Sequence, residues 1–186
     1  MSDAADLDAL ADVAKQRESG LRALHARHAT RLLRFVLRLV RNEAVAEEVV
    51  NETFVDVWRN AERFRGGASV STWLMAVARN KAVDRLRRRG EEPLEDGAAE
   101  RLEDESDDPE TILAKSDKGA LMRRMIDRLT PIHREIVDLV YYHERSVAEA
   151  STILDIPEAT VKTRMFYARK ELRRLFEEAG IDRGWP

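Results

Sequence analysis

Apolar residues recur at intervals of three and four along most of this chain, with one long interruption. From Gly20 to Val40 the stripe is Leu21, Leu24, Leu32, Phe35, Val36 and Leu39, which predicts an amphipathic helix. Asn42 and Glu43 open a second helix, running to about Phe64, with Val45, Val49, Thr53, Phe54 and Val57 facing inward. The FRGGAS stretch from Phe64 to Ser69 breaks the pattern, because its two glycines permit irregular backbone. Ser69 or Ser71 caps a third helix, which carries Trp73, Leu74, Val77, Ala78 and Val83 and ends in the basic run Arg85 to Arg89.

The interruption covers residues 91–116. It is dense in acid, contains Pro93, Gly97 and Pro109, and is poor in apolar residues, so it reads as an extended linker. Helical periodicity then resumes with Leu121, Met125 and Leu129. Thr130 and Pro131 start another helix, which carries Ile132, Ile136, Val137, Leu139 and Val140.

From Ser146 to Arg174 the sequence reads as a short helix, a turn marked by Pro157, and a longer helix. Ser146 and Glu149 form a capping box, and Pro157 suits the first turn of the second helix. Val147, Ala150, Ile153 and Leu154 line one face; Val161, Met165, Ala168 and Leu172 line another. The expected architecture is all-α. It has an N-terminal tail at 1–19, a helical domain at 20–90, the acidic flexible linker, and a second small helical domain at 117–186 that contains a helix-turn-helix.

Composition narrows the class. Hydrophobic residues make up 44% of the 186, enough for packed cores, and the absence of cysteine excludes disulfides and thiolate metal sites. No apolar run reaches the length of a bilayer span, and the first twenty residues are acidic rather than signal-like, so a cytoplasmic protein without membrane insertion is expected. The net charge of −3 hides segregation: residues 1–19 carry −3, 20–90 carry +8, 91–117 carry −10 and 118–186 carry +2. A strongly basic lobe beside a strongly acidic stretch suggests contact with a polyanion.

Three surfaces hold candidate chemistry. On the last helix, Lys162, Thr163, Arg164, Tyr167, Arg169 and Lys170 share the face away from the apolar stripe, the arrangement used to place a helix in the DNA major groove. A solvated helical hairpin is the plain alternative for that segment alone. On the third helix and the loop before it, Phe64, Arg65, Ser69, Arg79, Asn80, Lys81, Asp84, Arg85, Arg87 and Arg88 mix cations, short polar groups and an aromatic. Single-stranded nucleic acid calls for this mixture. Arg87 to Arg89 alone would only complement the helix dipole, and Trp73 falls among positions expected to pack in the core. On the second helix, Glu47, Glu48, Asn51, Glu52, Asp56 and Trp58 give an acidic surface with apolar residues among the charges, suited to a partner helix although by itself it reads as a solvated face.

Enzyme signatures are missing: no phosphate-binding glycine loop, zinc-protease helix motif or nucleophile elbow occurs. His25 and His28 lie one helical turn apart with no further ligand to complete a metal site, and His133 and His143 read as surface or boundary residues. No catalytic residue, metal or cofactor is expected.

Three segments in order carry a family resemblance: AEEVVNETFVDVWR, FRGGASVSTWLMAVARNKAVDRLRRR and LTPIHREIVDLVYYHERSVAEASTILDIPEATVKTRMFYARKELRRL. Together they resemble a bacterial extracytoplasmic-function (ECF) sigma factor from Leu21 to Phe176. The resemblance implies a promoter-specificity subunit of RNA polymerase that is not an enzyme. Glu48, Asn51, Glu52 and Trp58 would grip the clamp helices of the β′ subunit, and the second domain would meet the β flap. Asn80 and the loop from Phe64 to Ser69 would hold a flipped base of the non-template strand at the minus-ten element. Arg79, Lys81, Arg85 and Arg88, with Asp84 among them, would line the phosphates. Lys162, Thr163, Phe166 and Tyr167 would face the bases of the minus-thirty-five duplex, with Arg164, Arg169 and Lys170 toward its backbone. Regulation would come in trans from an anti-sigma factor.

Two positions depart from the family pattern. Asp155 stands where the turn often has Gly, and Tyr167 stands where many members have Arg. Two other readings compete: a free-standing helix-turn-helix regulator that binds an operator without polymerase, and a decoy that binds an anti-sigma factor but supports no transcription.

Overall fold

The computed structural model describes residues 3–89 and 121–180, all of it helix and connecting turn with no strand among the described residues. The linker expected at 91–116 lies outside the described residues. The described residues form two units, one of residues 3–89 with 148–156 and one of residues 121–147 with 157–180.

The first unit is built on α1 (Asp3–Ala14), α2 (Glu18–Val40), α3 (Glu43–Asn60) and α4 (Val70–Arg89). The α2 and α3 stripes bury much as their periodicity predicts. Leu24, Leu32, Phe35 and Val36 meet Val45, Val49, Phe54 and Val57 in the core, each side chain contributing roughly 1.5–3 kcal/mol. Asn42 caps α3 by accepting the Val45 N–H at 3.0 Å. Between the two helices Arg41 takes a left-handed conformation, φ 51°, that ends α2. The turn of 3₁₀ helix at Ala61–Arg63 then leads into the glycine loop, where Gly66 has φ 73°.

Residues 3–14, expected as part of a tail, are a helix. Ala9, Leu10 and Val13 are buried on one face, and Asp6 joins them because it is matched from α2. Its carboxylate takes Arg27 at 2.7 Å through one oxygen and His28 Nε2 at 2.8 Å through the other. Burial holds the His28 pKa below its ordinary value, against the opposing pull of Asp6, so a neutral imidazole donates its Nε2 proton to the carboxylate. The two helices approach closely at Gly20: a Cβ there would stand 2.8 Å from the Asp12 Cβ and 2.9 Å from the Val13 nitrogen.

On α4 the buried side is Val70, Thr72, Leu74, Met75, Ala78 and Ala82. Trp73, Val77 and Val83, expected inward, are only half-buried. The inward stripe is made of smaller residues, and the tryptophan is left at its margin.

In the second unit, residues 121–127 are helical, and α5 (Pro131–Val137) follows with Thr130 as its N-cap and Pro131 at its first turn. Arg134 is buried, and its guanidinium donates to the carbonyls of Ile126, Asp127 and Leu129 at 3.4, 2.7 and 3.1 Å, so it closes the end of the preceding helix. The chain then passes into a π-helical segment, Asp138–Tyr142. The wider turn shifts the register, burying Leu139 and leaving Tyr141 and Tyr142 exposed. His143, expected at the surface or a boundary, is buried, with Nε2 3.4 Å from Asp138.

Next in the chain come α6 (Val147–Leu154), whose residues from 148 on belong to the first unit, and, after a three-residue turn, α7 (Glu158–Glu178), which belongs to the second. Asp155 takes φ 54° in that turn, a conformation its short polar side chain tolerates. Pro157 sits at the N-cap rather than inside the first turn, its carbonyl accepting the Thr160 and Val161 N–H groups. Val161, Met165, Ala168 and Leu175 are buried, whereas Leu172 is only half-buried.

Candidate nucleic-acid interface

The α3 surface is the simplest. Glu47, Glu48, Asn51 and Glu52 are exposed on one face, opposite Val45, Val49 and Val57. Trp58 extends the same stripe and is half-buried, its carbonyl accepting Gln16 Nε2 at 3.3 Å. Val55 lies between them and is 47% exposed. An apolar residue left open at helical spacing from Asn51, Glu52 and Trp58 suits contact with a partner. Sequence reasoning passed over it, although its position three and four residues from the candidates was a readable signal. Asp56 is different: it accepts Asn60 Nδ2 at 2.8 Å and serves the end of its own helix.

On α4 the candidates do not all point the same way. Trp73, Val77, Asn80, Asp84 and Arg87 follow one another at intervals of four and three, so they share one face. Asn80, Asp84 and Arg87 on it are exposed, as is Arg88 beside it. Phe64 from the loop meets Trp73 edge to face at 5.5 Å between ring centroids. The tryptophan, expected as core, therefore forms an aromatic pair at the N-terminal end of the stripe that carries Asn80. Ser69 is the cap of α4: its oxygen accepts the Thr72 N–H at 3.1 Å and its hydroxyl donates to Thr72 Oγ1 at 2.9 Å. Its hydroxyl is thus engaged in fixing the loop onto the helix.

Arg85 lies on another side of α4, toward α3. Its guanidinium bridges Glu48 at 2.9 Å and Glu52 at 2.5 Å, two acids one helical turn apart. Residues assigned from sequence to two different surfaces are thereby joined in one ion-pair network. Lys81 and Arg79 are half-buried on opposite flanks of the helix.

On α7 the geometry is uniform. Lys162, Thr163, Phe166, Tyr167, Arg169 and Lys170 are exposed and Arg164 is half-buried, while Val161, Met165 and Ala168 are covered. Phe166 and Tyr167 meet edge to face at 5.4 Å, presenting an aromatic surface among cations. Thr163 Oγ1 donates its proton to the Ala159 carbonyl at 2.9 Å, which leaves its lone pairs and methyl facing out. Lys162 lies 4.0 Å from Glu158, a loose pair that a phosphate or base edge can displace.

No helix among the described residues is long and apolar enough to cross a membrane, and no cluster of three His, Cys, Asp or Glu side chains there could hold a metal ion.

Known proteins place these surfaces in context. Residues 24–92 match the family model of sigma-70 region 2, and residues 125–174 match that of sigma-70 region 4. The ECF RNA polymerase sigma factor SigL of Mycobacterium tuberculosis (strain ATCC 25618 / H37Rv) is 34% identical over 164 residues, covering 88% of this chain and 92% of SigL. SigK of Mycobacterium bovis (strain BCG / Pasteur 1173P2), another ECF sigma factor, is 28% identical over 176 residues, covering 92% and 94%. Among solved structures, CnrH in complex with the cytosolic domain of CnrY has a TM-score of 0.68 at 23% identity, covering 94% of this chain and 98% of that one. The sigma factor RpoE of Bartonella quintana, in complex with the anti-sigma factor NepR, has a TM-score of 0.65 at 21% identity, covering 84% and 96%. These two likenesses concern the fold.

Proposed function

This chain belongs to the sigma-70 family, as an ECF RNA polymerase sigma factor, and from that premise we propose how its surfaces divide the work of transcription initiation. Such a protein is not an enzyme; it supplies binding energy and specificity to the polymerase. Residues 20–90 and 117–186 act as two recognition domains, tethered by the acidic segment 91–116.

The exposed face of α3 docks on the β′ clamp helices. Glu48, Asn51 and Glu52 give polar contacts, and Val55 with Trp58 supplies the apolar patch that a partner helix covers. The β flap receives the second domain.

The α4 stripe holds the non-template strand at the minus-ten element. Asn80 carries a carboxamide that both donates and accepts, as the edge of an extruded base requires, and the Phe64–Trp73 pair offers a stacking surface on the same side. Extruding a base costs a few kcal/mol of stacking, which those contacts must return. Arg79, Lys81 and Arg88 meet phosphates. Arg85 joins them once released from its acids. Asp84 holds Arg87, 3.7 Å away, and Ser69 fixes the loop.

The minus-thirty-five duplex is read by α7, with Lys162, Thr163, Phe166 and Tyr167 toward the bases and Arg164, Arg169 and Lys170 toward the backbone. Because the Thr163 proton is spent on Ala159, that side chain favours a base presenting an amino donor or a thymine methyl. The protein works in the cytoplasm with core polymerase, and an anti-sigma factor restrains it, as NepR is found bound to RpoE.

The observation that carries this reading is the division of α7 into a covered apolar stripe and an exposed face of cations, hydroxyl and aromatics, in a chain whose relatives are sigma factors. The test is co-purification of the full chain with core polymerase, followed by run-off transcription from genomic fragments. Specific transcripts that depend on the chain are expected. Stable binding to core without any promoter-specific transcript would mean a decoy, and operator binding without core would mean a free-standing regulator; either result overturns the proposal.

A further inference from the structure

The π-helical segment ahead of the helix-turn-helix places Tyr141 on the surface, 54% exposed, although its neighbour Leu139 is fully buried. Its phenol oxygen lies 3.0 Å from Arg169 Nε, which donates to it. The two residues are 28 positions apart in sequence, and both belong to the second unit. Had the regular helix of α5 continued, the register of this segment would differ and the phenol would not stand where it does.

This hydrogen bond has two consequences. A guanidinium whose Nε–H is occupied keeps the four N–H donors of its two terminal nitrogens for another partner, aimed away from the phenol. A phenol oxygen that accepts from Arg169 still has its own proton to donate. The pair therefore presents a cationic fork and a neutral O–H donor from adjoining points on the same exposed surface. A phosphate group, with several acceptor oxygens and negative charge, matches that set of donors.

We infer that Tyr141 is a positioning residue for DNA-backbone recognition: it holds Arg169 in the conformation that grips a phosphate beside the minus-thirty-five bases and donates its own O–H to the same group. The inference rests on the assignment of α7 to duplex DNA. Its energetic basis is preorganisation. A free arginine loses rotamer entropy when it binds, and a side chain already tethered through Nε loses less. Since the contact is with phosphate, it changes affinity without changing which bases are read.

The experiment uses holoenzyme assembled from the full chain and core polymerase, on a promoter fragment selected by run-off transcription and on the same fragment with altered minus-thirty-five bases. Tyr141→Phe removes only the hydroxyl, which is exposed, so the fold is undisturbed. Binding of both fragments should weaken by the same factor, about three- to tenfold for loss of hydrogen bonds to charged groups. Arg169→Gln should weaken both fragments further and reduce the salt slope by about 0.9, whereas Tyr141→Phe should leave that slope unchanged. In the Arg169→Gln background, Tyr141→Phe should cost clearly less than in the parent, because only the phenol's own contact to the phosphate is then left to lose.

Parental affinity in Tyr141→Phe, or losses that simply add in the double variant, would overturn the positioning role. A loss confined to one of the two fragments would make Tyr141 a base reader and overturn it equally. Failure of the assignment beneath it looks different: the parent holoenzyme would then bind the altered and unaltered fragments alike.

Discussion

Neutralising Glu48 and Glu52 together should strengthen the grip of this protein on single-stranded minus-ten DNA while weakening its grip on core polymerase. Arg85 is 28% exposed and is held by both acids, at 2.9 and 2.5 Å. The glutamates are themselves more than half exposed, so each pair is worth only a fraction of a kcal/mol after screening, roughly 1 kcal/mol for the network. Arg85 must forfeit that amount before it can hold a phosphate. The double variant Glu48→Gln, Glu52→Gln removes the competing acids, and 1 kcal/mol corresponds to about fivefold in affinity.

The assay is fluorescence anisotropy of a labelled minus-ten non-template oligonucleotide against the full chain, repeated over a range of salt. Affinity should rise about three- to fivefold, and the salt slope should steepen by about 0.7, the value for one more single-strand phosphate contact. Thermal unfolding should fall by about 5 °C, since 1 kcal/mol moves the midpoint of a domain this size by that order. An unchanged oligonucleotide affinity and salt slope, with the expected thermal loss, would show that Arg85 is a strut between α3 and α4 and touches no DNA.

Asn80→Ala should slow open-complex formation, followed by permanganate reactivity of the melted strand, and leave core binding intact; equal loss of both would make Asn80 structural. Gly20→Ala should cost roughly 3 kcal/mol or more in urea unfolding, because the new methyl would run into the Ala9 carbonyl as well as Asp12 Cβ and the Val13 backbone across the α1–α2 contact. An unchanged midpoint would mean that α1 does not dock as described. His28 titrates below its ordinary value of about 6.5 in the fold, so the unfolded chain binds the extra proton first and stability must fall as pH drops through that region. The pH dependence of the urea midpoint between about 7 and 5 should flatten in His28→Gln, and an identical dependence in both proteins would refute the neutral-imidazole assignment.

The larger elements were readable because their signals are local. The stripes of α2 and α3, the Asn42 cap and the Thr130–Pro131 start all follow from residues within one or two turns, and the exposed cations of α7 follow from the apolar positions opposite them. What escaped depended on partners distant in sequence. Asp6 looks like a surface acid until Arg27 and His28 are brought to it, so from sequence alone α1 reads as tail. Trp73 looks like core until Phe64 claims it from the loop. The π-helical turn leaves no mark in the periodicity of apolar residues, so the exposure of Tyr141 and the burial of His143 could not be anticipated.

The same distinction bears on how charge should be counted in this protein. The lobe 20–90 carries a net +8, and that excess suggested a polyanion partner. In the fold, several of its cations already have acids: Arg22 has Glu18, Arg27 has Asp6, and Arg85 has Glu48 and Glu52. In the second unit Arg134 is spent on backbone carbonyls, and Arg174 is shared between Glu171 and Glu178. Net charge governs long-range attraction, and pairing does not change it. The salt slope of binding, by contrast, counts only the cations that reach phosphates. Attraction to DNA should therefore be broad over the basic lobe while the slope stays well below the number of arginines. On the proposed division of contacts, the residues expected to set the slope are exposed cations assigned to the backbone, Arg88 on α4 and Arg169 and Lys170 on α7 foremost among them.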